Sequence, residues 1–348
     1  IRDRDHNKRL KEHLYYYSAR ISRDISNLIK WLVLAVITGC IVGAASTLFS
    51  FTLKAVTSYR KAHEWIFLLL PLSGLVIVFL YEKLGKEDGG TNQVLSTVRS
   101  RDDVPILSAP LIFITTALTH LTGGSAGREG AAIQLGGSIA NQLGRWSHLD
   151  EEDRHVIVMC GMSAAFSALF GTPVTSAIFS MEVISVGVMY YSAIVPCVIA
   201  AVVGDRISSL FGIAPTEFLL TGVPEGSALG VAKVALLGVL CAVLSILFCV
   251  CMHQSAALYK KLIPNKYLCA AVGGLLVALL TLLVGTRDYN GAGMDVIARA
   301  VAGQARPEAF ALKILFTALT LGAGFKGGEI VPAFFTGATF GNVIGKLL

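Results

Sequence analysis

The octapeptide Gly123-Gly124-Ser125-Ala126-Gly127-Arg128-Glu129-Gly130 lies between two strongly apolar stretches and decides the fold. Upstream, residues 110–122 contain no Asp, Glu, Lys or Arg, and downstream residues 131–143 are uncharged. If both stretches are membrane spans, Arg128 and Glu129 lie at membrane depth, where charged side chains are costly and usually functional. The octapeptide therefore predicts a break in a membrane helix that carries the main functional residues.

The composition excludes an ordinary soluble domain. Hydrophobic residues make up 54% of the 348, charged residues make up 15%, and the mean hydropathy is +0.67. These values predict an all-α polytopic membrane protein. Stretches free of Asp, Glu, Lys and Arg occupy residues 31–53, 65–81, 156–181, 183–204, 234–259, 267–285, 314–325 and 330–345. Several are long enough to span a bilayer, and others are short and interrupted by Gly or Pro, which is typical of bundles with discontinuous helices.

The net charge of +6 is concentrated before the first span and does not indicate nucleic-acid binding. The basic residues of this segment are Arg2, Arg4, Lys8, Arg9, Lys11, Arg20, Arg23 and Lys30. Because positive flanks stay in the cytoplasm, we expect residues 1–30 to form an amphipathic helix at the cytoplasmic surface of the cell membrane. Residues 31–220 are expected to form a first transmembrane repeat and residues 221–348 a partial second one. Within the first, we expect a polar link around Thr57–Glu64 and a small-residue packing face at Gly39 and Gly43.

No cofactor or metal site is predicted. The seven cysteines are odd in number and show neither metal-ligand spacing nor a disulfide framework. The Gly124, Gly127 and Gly130 spacing does not match the dinucleotide-binding pattern, and no phosphate-binding loop follows. Ser125 has no assignable base and lacks the hydrolase elbow pattern, so it is not predicted to be a nucleophile.

A second interruption of the same kind occurs in residues 322–332, where Gly324, Gly327 and Gly328 accompany a lysine and a glutamate before an apolar helix. Two such interruptions at comparable places in two halves are typical of inverted-repeat transporters, whose substrate site lies at the repeat interface. Direct identity between the halves is weak, so the repeat is inferred from the pattern.

A helix that starts inside the bilayer exposes unpaired N–H groups and the positive end of its dipole. Several such ends that converge form an anion site without a full positive charge, which holds an ion loosely enough to release it. The glycine-rich approaches at 89–90, 123–130 and 327–328 suit this role, because backbone comes close to an ion where there is no Cβ. For 89–90 alone, a plain loop with a helix cap is the alternative.

Glu129 links anion and proton movement in this hypothesis. Its ionised carboxylate can occupy an anion position at a helix N-terminus, and its protonated form loses that attraction and moves away. Arg128 is either a direct anion ligand or a partner in a conformational or interfacial salt bridge. Glu182, in an otherwise uncharged stretch, is either a proton-relay group or a carboxylate that pairs with a neighbouring helix or reaches the interface.

Three motifs together resemble those of the CLC family of anion channels and anion/proton antiporters, in the family's order. Residues 127–130 resemble its G-[K/R]-E-G-P motif, residues 328–332 fall where it has G-x-F-x-P, and residues 89–92 where it has G-S-G-x-P. The resemblance implies a homodimer of inverted-repeat bundles with broken helices that meet at a mid-membrane anion site. It also implies further C-terminal helices, absent from this chain, so we expect a partial sequence.

The resemblance assigns roles to individual residues. Glu129 corresponds to the gating glutamate, and Thr91 to the serine that coordinates the central anion. Ile330 and Val331 correspond to backbone N–H donors of the second anion-binding helix. The complete set of anion-binding candidates is Gly90, Thr91, Asn92, Gly127, Arg128, Gly130, Gly328, Ile330 and Val331.

Departures from the common chloride pattern favour fluoride/proton exchange. Thr91 replaces serine, Ala131 replaces the proline of the glutamate motif, Ile330 replaces phenylalanine, and Val183 follows Glu182 where a second proton-transfer glutamate is common. Residues 324–332 resemble the form found in the family's fluoride-exporting bacterial branch. The alternatives are a chloride/proton antiporter or a voltage-gated-type chloride channel of the same fold.

A more remote alternative from another class is an integral membrane enzyme. It would use Glu129 as general acid or base, with Arg128 and His120 as the partner groups.

Overall fold

The structure, a computed structural model, describes residues 2–85, 94–96, 104–184, 187, 189–218 and 226–348, with side chains from Arg20 onward except that of Arg23. Within these residues the chain is helical throughout its regular elements. The helices are α1 (Arg2–Ala62), α2 (Leu70–Leu84), α3 (Ser108–Thr122), α4 (Glu129–Trp146), α5 (Glu151–Phe170), α6 (Pro173–Glu182), α7 (Ile194–Leu210), α8 (Ala228–Leu262), α9 (Lys266–Val284), α10 (Met294–Val301), α11 (Ala309–Gly322) and α12 (Ile330–Gly345). Short 3₁₀ turns at Glu64–Leu69 and Tyr191–Ala193 precede α2 and α7.

Local signals explain where several helices begin and end. The side chain of Asp150 caps α5, that of Ser227 caps α8, and that of Asn265 accepts hydrogen bonds from two backbone N–H groups at the start of α9. Gly171 ends α5 with a φ of 71°, a conformation that L side chains avoid. Pro173 then opens α6, as the sequence predicts.

Helix α1 continues without a break from Arg2 to Ala62. The expectation of a polar link around Thr57–Glu64 is therefore wrong for residues 57–62, which form the last turns of α1. The polar side chains there are compatible with a helix because they line a cavity described below. The continuation places Arg60 and Lys61 at the helix end.

Helix α5 occupies the centre of the first half, where it packs against α1, α4, α6 and α7. Small residues permit these close contacts: a Cβ on Gly43 of α1 would lie 2.8 Å from the Cα atom of Gly204 on α7. A Cβ on Gly136 of α4 would lie 2.3 Å from the carbonyl oxygen of Gly161 on α5. The predicted small-residue face of α1 is thus confirmed as a helix-packing surface.

The second half repeats the first in order and in register. Glu129 begins α4 and Ile330 begins α12, a separation of 201 residues, and Ser108 and Ala309 begin α3 and α11 at the same separation. Helices α1 and α2 recur likewise as α8 and α9. The predicted inverted-repeat bundle with broken helices is confirmed.

Five helical segments of the described chain are long and apolar enough to cross a membrane. They are Arg20–Ala62, Glu64–Leu84, Tyr191–Leu210, Ala228–Leu262 and Lys266–Val284. Helices α3, α11 and α12 are apolar but shorter. These short helices belong to the two interrupted segments, and their ends therefore lie inside the bundle.

Candidate functional site

Both predicted interruptions are present. Helix α3 ends at Thr122, Gly123 takes a φ of 88°, and α4 does not begin until Glu129. In the second half, α11 ends at Gly322 and α12 begins at Ile330. Each interruption leaves the N-terminus of the following helix inside the protein, where its first N–H groups lack intrahelical partners.

The two interruptions meet and bond to each other through their backbones. The N–H of Gly127 donates to the carbonyl of Gly328 at 2.7 Å, and the N–H of Gly328 donates to the carbonyl of Gly127 at 2.9 Å. Sequence reasoning predicted that the two motifs share a site, but not this direct pairing. The reciprocal bonds hold the N-termini of α4 and α12 beside one another.

A second reciprocal pair surrounds the first. The N–H of Ser125 donates to Thr320 Oγ1 at 3.0 Å, and the N–H of Lys326 donates to Thr119 Oγ1 at 3.3 Å. Ser125 and Lys326 are 201 residues apart, as are Thr119 and Thr320. The contacts therefore follow a local two-fold relation, with a helix of each half supplying a hydroxyl to the loop of the other.

The carboxylate of Glu129 lies at the centre of this arrangement and is fully buried. Cβ atoms added to Gly127 and to Gly328 would each lie 2.2 Å from Glu129 Oε2, so the carboxylate rests against both glycines. Backbone N–H groups of Arg128, Glu129 and Val331 face it. Among the described residues, however, neither carboxylate oxygen has a partner in hydrogen-bond geometry.

This environment suits a small anion. Two helix N-termini contribute partial positive charge, and glycine backbone allows an ion to approach closely. A buried carboxylate without hydrogen bonds is unfavourable in its charged form, so a competing anion or a proton displaces it at little cost in contacts. No cluster of three or more metal-ligating side chains occurs in the described part of the chain.

Arg128 caps the start of α4 but does not form the predicted salt bridge. Its Nη2 donates to the carbonyl of Leu169 at 3.3 Å, and its Cζ lies 5.2 Å from the ring centroid of Phe170. No carboxylate of the described residues lies within ion-pair distance of it. The salt-bridge hypothesis is therefore wrong, because a carbonyl oxygen and an aromatic face satisfy the guanidinium instead.

Two polar residues that sequence reasoning missed support the site from the second half. Lys313 is fully buried in α11, and its Nζ donates to the carbonyls of Tyr289 and Gly291 at 3.1 and 2.6 Å. Asn290 Nδ2 donates to the carbonyl of Gly123 at 2.9 Å, beside the first interruption. A lysine inside the apolar segment 309–322 was the available signal for the first residue.

Replacing Asn290 with alanine is expected to destabilise the protein by about 2 kcal/mol, because it leaves the buried Gly123 carbonyl without its donor. That loss corresponds to a fall of roughly 5 °C in the Tm of the detergent-solubilised protein. Asn342→Ala is the matched control, since Asn342 donates to Ala300 within the second half and is only partly buried. An equal or larger fall in the control would contradict a special role for the contact between halves.

The remaining candidates are placed as follows. Gly130 and Val331 lie in the first turns of α4 and α12. Glu182 is the last residue of α6 and is exposed, and it does not contact the paired loops. Gly90, Thr91 and Asn92 lie outside the described residues.

Comparisons with known proteins agree with this architecture. The family model described as "Voltage gated chloride channel" matches residues 73–348. A chloride/fluoride channel protein of Pseudomonas syringae pv. tomato is 37% identical over 327 residues, which cover 92% of this chain and 72% of that protein.

Solved structures resemble this fold closely. A crystal structure of a CLC-type fluoride/proton antiporter superposes with a TM-score of 0.88 at 31% identity, covering 92% of this chain and 82% of the other. A slow cyanobacterial Cl⁻/H⁺ antiporter shares the fold, with a TM-score of 0.75 at 18% identity over 87% of this chain and 76% of the other. The chain therefore belongs to the voltage-gated chloride channel, or CLC, family of anion channels and anion/proton antiporters.

Proposed function

We propose that this protein exchanges fluoride for protons across the cell membrane, with Glu129 as the gating and proton-transfer residue. One observation carries the proposal: a fully buried carboxylate between two paired helix N-termini, with no hydrogen-bond partner among the described residues. A side chain in that position competes with an anion when ionised and vacates the position when protonated. A single group then couples the two movements.

Fluoride is favoured over chloride by two kinds of similarity. The chloride/fluoride channel protein and the fluoride/proton antiporter resemble this chain at higher identity than the Cl⁻/H⁺ antiporter does. The residues that replace the common chloride motif, among them Ala131 and Ile330, lie in the first turns of the two site helices. The backbone donors of Gly127, Gly130, Gly328, Ile330 and Val331 are proposed to bind the ion.

The selectivity test is a comparison of fluoride and chloride efflux from liposomes that contain the protein, under equal gradients. We expect fluoride to leave at least about tenfold faster, a difference of about 1.4 kcal/mol. An ion-selective electrode for each anion measures the initial rates. Chloride efflux equal to or faster than fluoride efflux would contradict the fluoride assignment and favour a chloride/proton antiporter or channel.

The proposed topology follows from the charge distribution. The basic N-terminal segment of residues 1–30 is proposed to lie in the cytoplasm, so that the end of α1 at Arg60 faces the other side of the membrane. Residues 31–220 and 221–348 are proposed as the two repeats, supported by the constant separation of 201 residues between corresponding helix starts. A homodimer is proposed from family membership, with light scattering of the detergent-solubilised protein as its test.

Two further assignments follow the same logic. A proton-relay role of Glu182 stays a prediction, and Glu182→Gln is expected to slow proton flux if the role is real. The enzyme alternative needs His120 and Arg128 to act with Glu129. His120 Nε2 instead contacts the carbonyl of Gly127 at 3.2 Å, and Arg128 bonds to that of Leu169. Transport is therefore the function that the geometry favours.

A further inference from the structure

A cavity of about 660 Å³ opens beside the first interruption, at the end of α1. Arg60, His120 and Arg128 line it close to the paired loops. The other charged residues of its lining are Lys54, Lys61, Glu64, Arg287, Asp288 and Asp295. This cavity, here called the vestibule, is large enough for many water molecules and any hydrated halide.

The acidic residues of the vestibule are all neutralised by ion pairs. Lys61 pairs with Asp295, Arg287 pairs with Glu64 at 2.6 Å, and Arg299 pairs with Asp288 at 2.8 Å. Within the described part of the chain, Lys54, Arg60 and Arg128 have no such carboxylate partner. The vestibule therefore carries an excess of positive charge, which attracts anions into a cleft with low-dielectric walls.

Arg60 is held in place by backbone groups. Its Nη1 donates to the carbonyl of His120 at 2.7 Å. A Cβ on Gly291 would lie 2.4 Å from the same nitrogen, so the guanidinium rests directly on that glycine. A guanidinium has five N–H donors, and a single bond leaves others for a ligand in the vestibule. The side chain is thus a fixed donor.

The vestibule connects to the candidate site through one residue. His120, whose carbonyl holds Arg60, contacts the carbonyl of Gly127 through Nε2 at 3.2 Å. Gly127 in turn rests against the carboxylate of Glu129. An anion at Arg60 is therefore one short step from the position that Glu129 occupies.

We propose that Arg60, together with Arg128, forms an anion-capture site in the vestibule that binds the small transported anion before it reaches Glu129. The inference rests on the proposed transport function and adds a binding residue from α1 that none of the three sequence motifs contains. Guanidinium donors suit fluoride well, because charge-assisted hydrogen bonds to a compact anion are strong. Capture at an already positioned donor increases the rate at which the anion reaches the site.

The first experiment measures the initial rate of fluoride uptake into liposomes as a function of external fluoride, for the wild type and Arg60→Gln. We expect Arg60→Gln to raise the half-saturating concentration roughly three- to tenfold, with the maximal rate within about twofold of wild type. Lys261→Gln is the matched control. It makes the same charge change at the corresponding end of α8, away from the vestibule lining, and should leave the half-saturating concentration unchanged.

If Arg60→Gln does not fold, Lys54→Gln and Arg60→Lys give the same test. Lys54→Gln removes another unpaired vestibule charge and should raise the half-saturating concentration about twofold, whereas Arg60→Lys should keep it near wild type. A folded Arg60→Gln with unchanged half-saturation would overturn the inference. Where that variant does not fold, unchanged half-saturation in Lys54→Gln would overturn it equally.

A second measurement does not depend on transport. Phenylglyoxal modifies accessible arginines, and mass spectrometry reports the modified fraction at Arg60 in the solubilised wild type. Fluoride or chloride should protect Arg60 several-fold relative to gluconate, while Arg20 on the same helix stays unprotected. Protection without any flux would refute the proposed transport and keep the capture site. Flux without protection would refute the capture site and keep transport.

Discussion

Glu129→Gln is expected to abolish proton movement driven by an anion gradient while the protein still folds. Glutamine has nearly the shape of glutamate but cannot release a proton. Neither carboxylate oxygen of Glu129 has a hydrogen-bond partner in the described structure, so the substitution breaks no bond. We expect proton uptake to fall by roughly a hundredfold or more, the scale on which an essential proton-transfer group acts.

A pH-sensitive dye inside liposomes measures this proton uptake, with an outward fluoride gradient as the driving force. The control is Glu308→Gln, which changes an exposed carboxylate at the start of α11, away from the paired loops. Size-exclusion chromatography in detergent shows that both variants fold. Proton uptake at the wild-type rate in Glu129→Gln would remove Glu129 from the mechanism.

The interruptions were predictable from sequence because they need residues of a particular kind. Glycine is required at Gly123, where φ is positive, and at Gly127 and Gly328, where a side chain would meet the carboxylate of Glu129. A charged residue within an apolar stretch is equally visible. These requirements are local, so a single chain displays them.

The supporting polar residues were not predictable, because their partners are backbone carbonyls distant in sequence. Arg60 bonds to His120, Lys313 to Tyr289 and Gly291, and Asn290 to Gly123. Every residue has a carbonyl, so no residue type at a fixed spacing signals these bonds. For the same reason Arg128 was wrongly assigned a carboxylate partner, when a carbonyl and the ring of Phe170 satisfy it.

Polar contacts with backbone also explain how the site carries buried cations without permanent ion pairs. A carboxylate beside Arg60 or Lys313 would cancel their positive potential and hold them tightly. Carbonyl oxygens satisfy the N–H donors but leave the net charge in place. The positive field around Glu129 is therefore preserved for an anion or for the carboxylate itself.

Gly328→Ala is expected to disrupt transport more severely than any other small substitution at the paired loops. The new Cβ would lie 2.2 Å from Glu129 Oε2, 2.8 Å from the backbone nitrogen of Gly130 and 3.0 Å from that of Glu129. A side-chain oxygen can move away, but the backbone nitrogens belong to the first turn of α4. The loops must therefore separate, which breaks the reciprocal hydrogen bonds between Gly127 and Gly328.

Separation of the loops costs about 1–3 kcal/mol for overpacking and about 1 kcal/mol for each lost hydrogen bond. We expect a Tm lower by several degrees and fluoride efflux reduced at least about tenfold, because the two helix N-termini no longer converge on one ion. Gly337→Ala is the control on the same helix, since no atom lies within 4 Å of its added Cβ. Gly127→Ala separates the two causes: its Cβ meets only the carboxylate of Glu129 among its close neighbours. It should therefore displace that side chain and weaken proton coupling with a smaller loss of stability. Equal losses of stability in Gly127→Ala and Gly328→Ala would show that the carboxylate, and not the helix N-termini, determines the spacing of the loops.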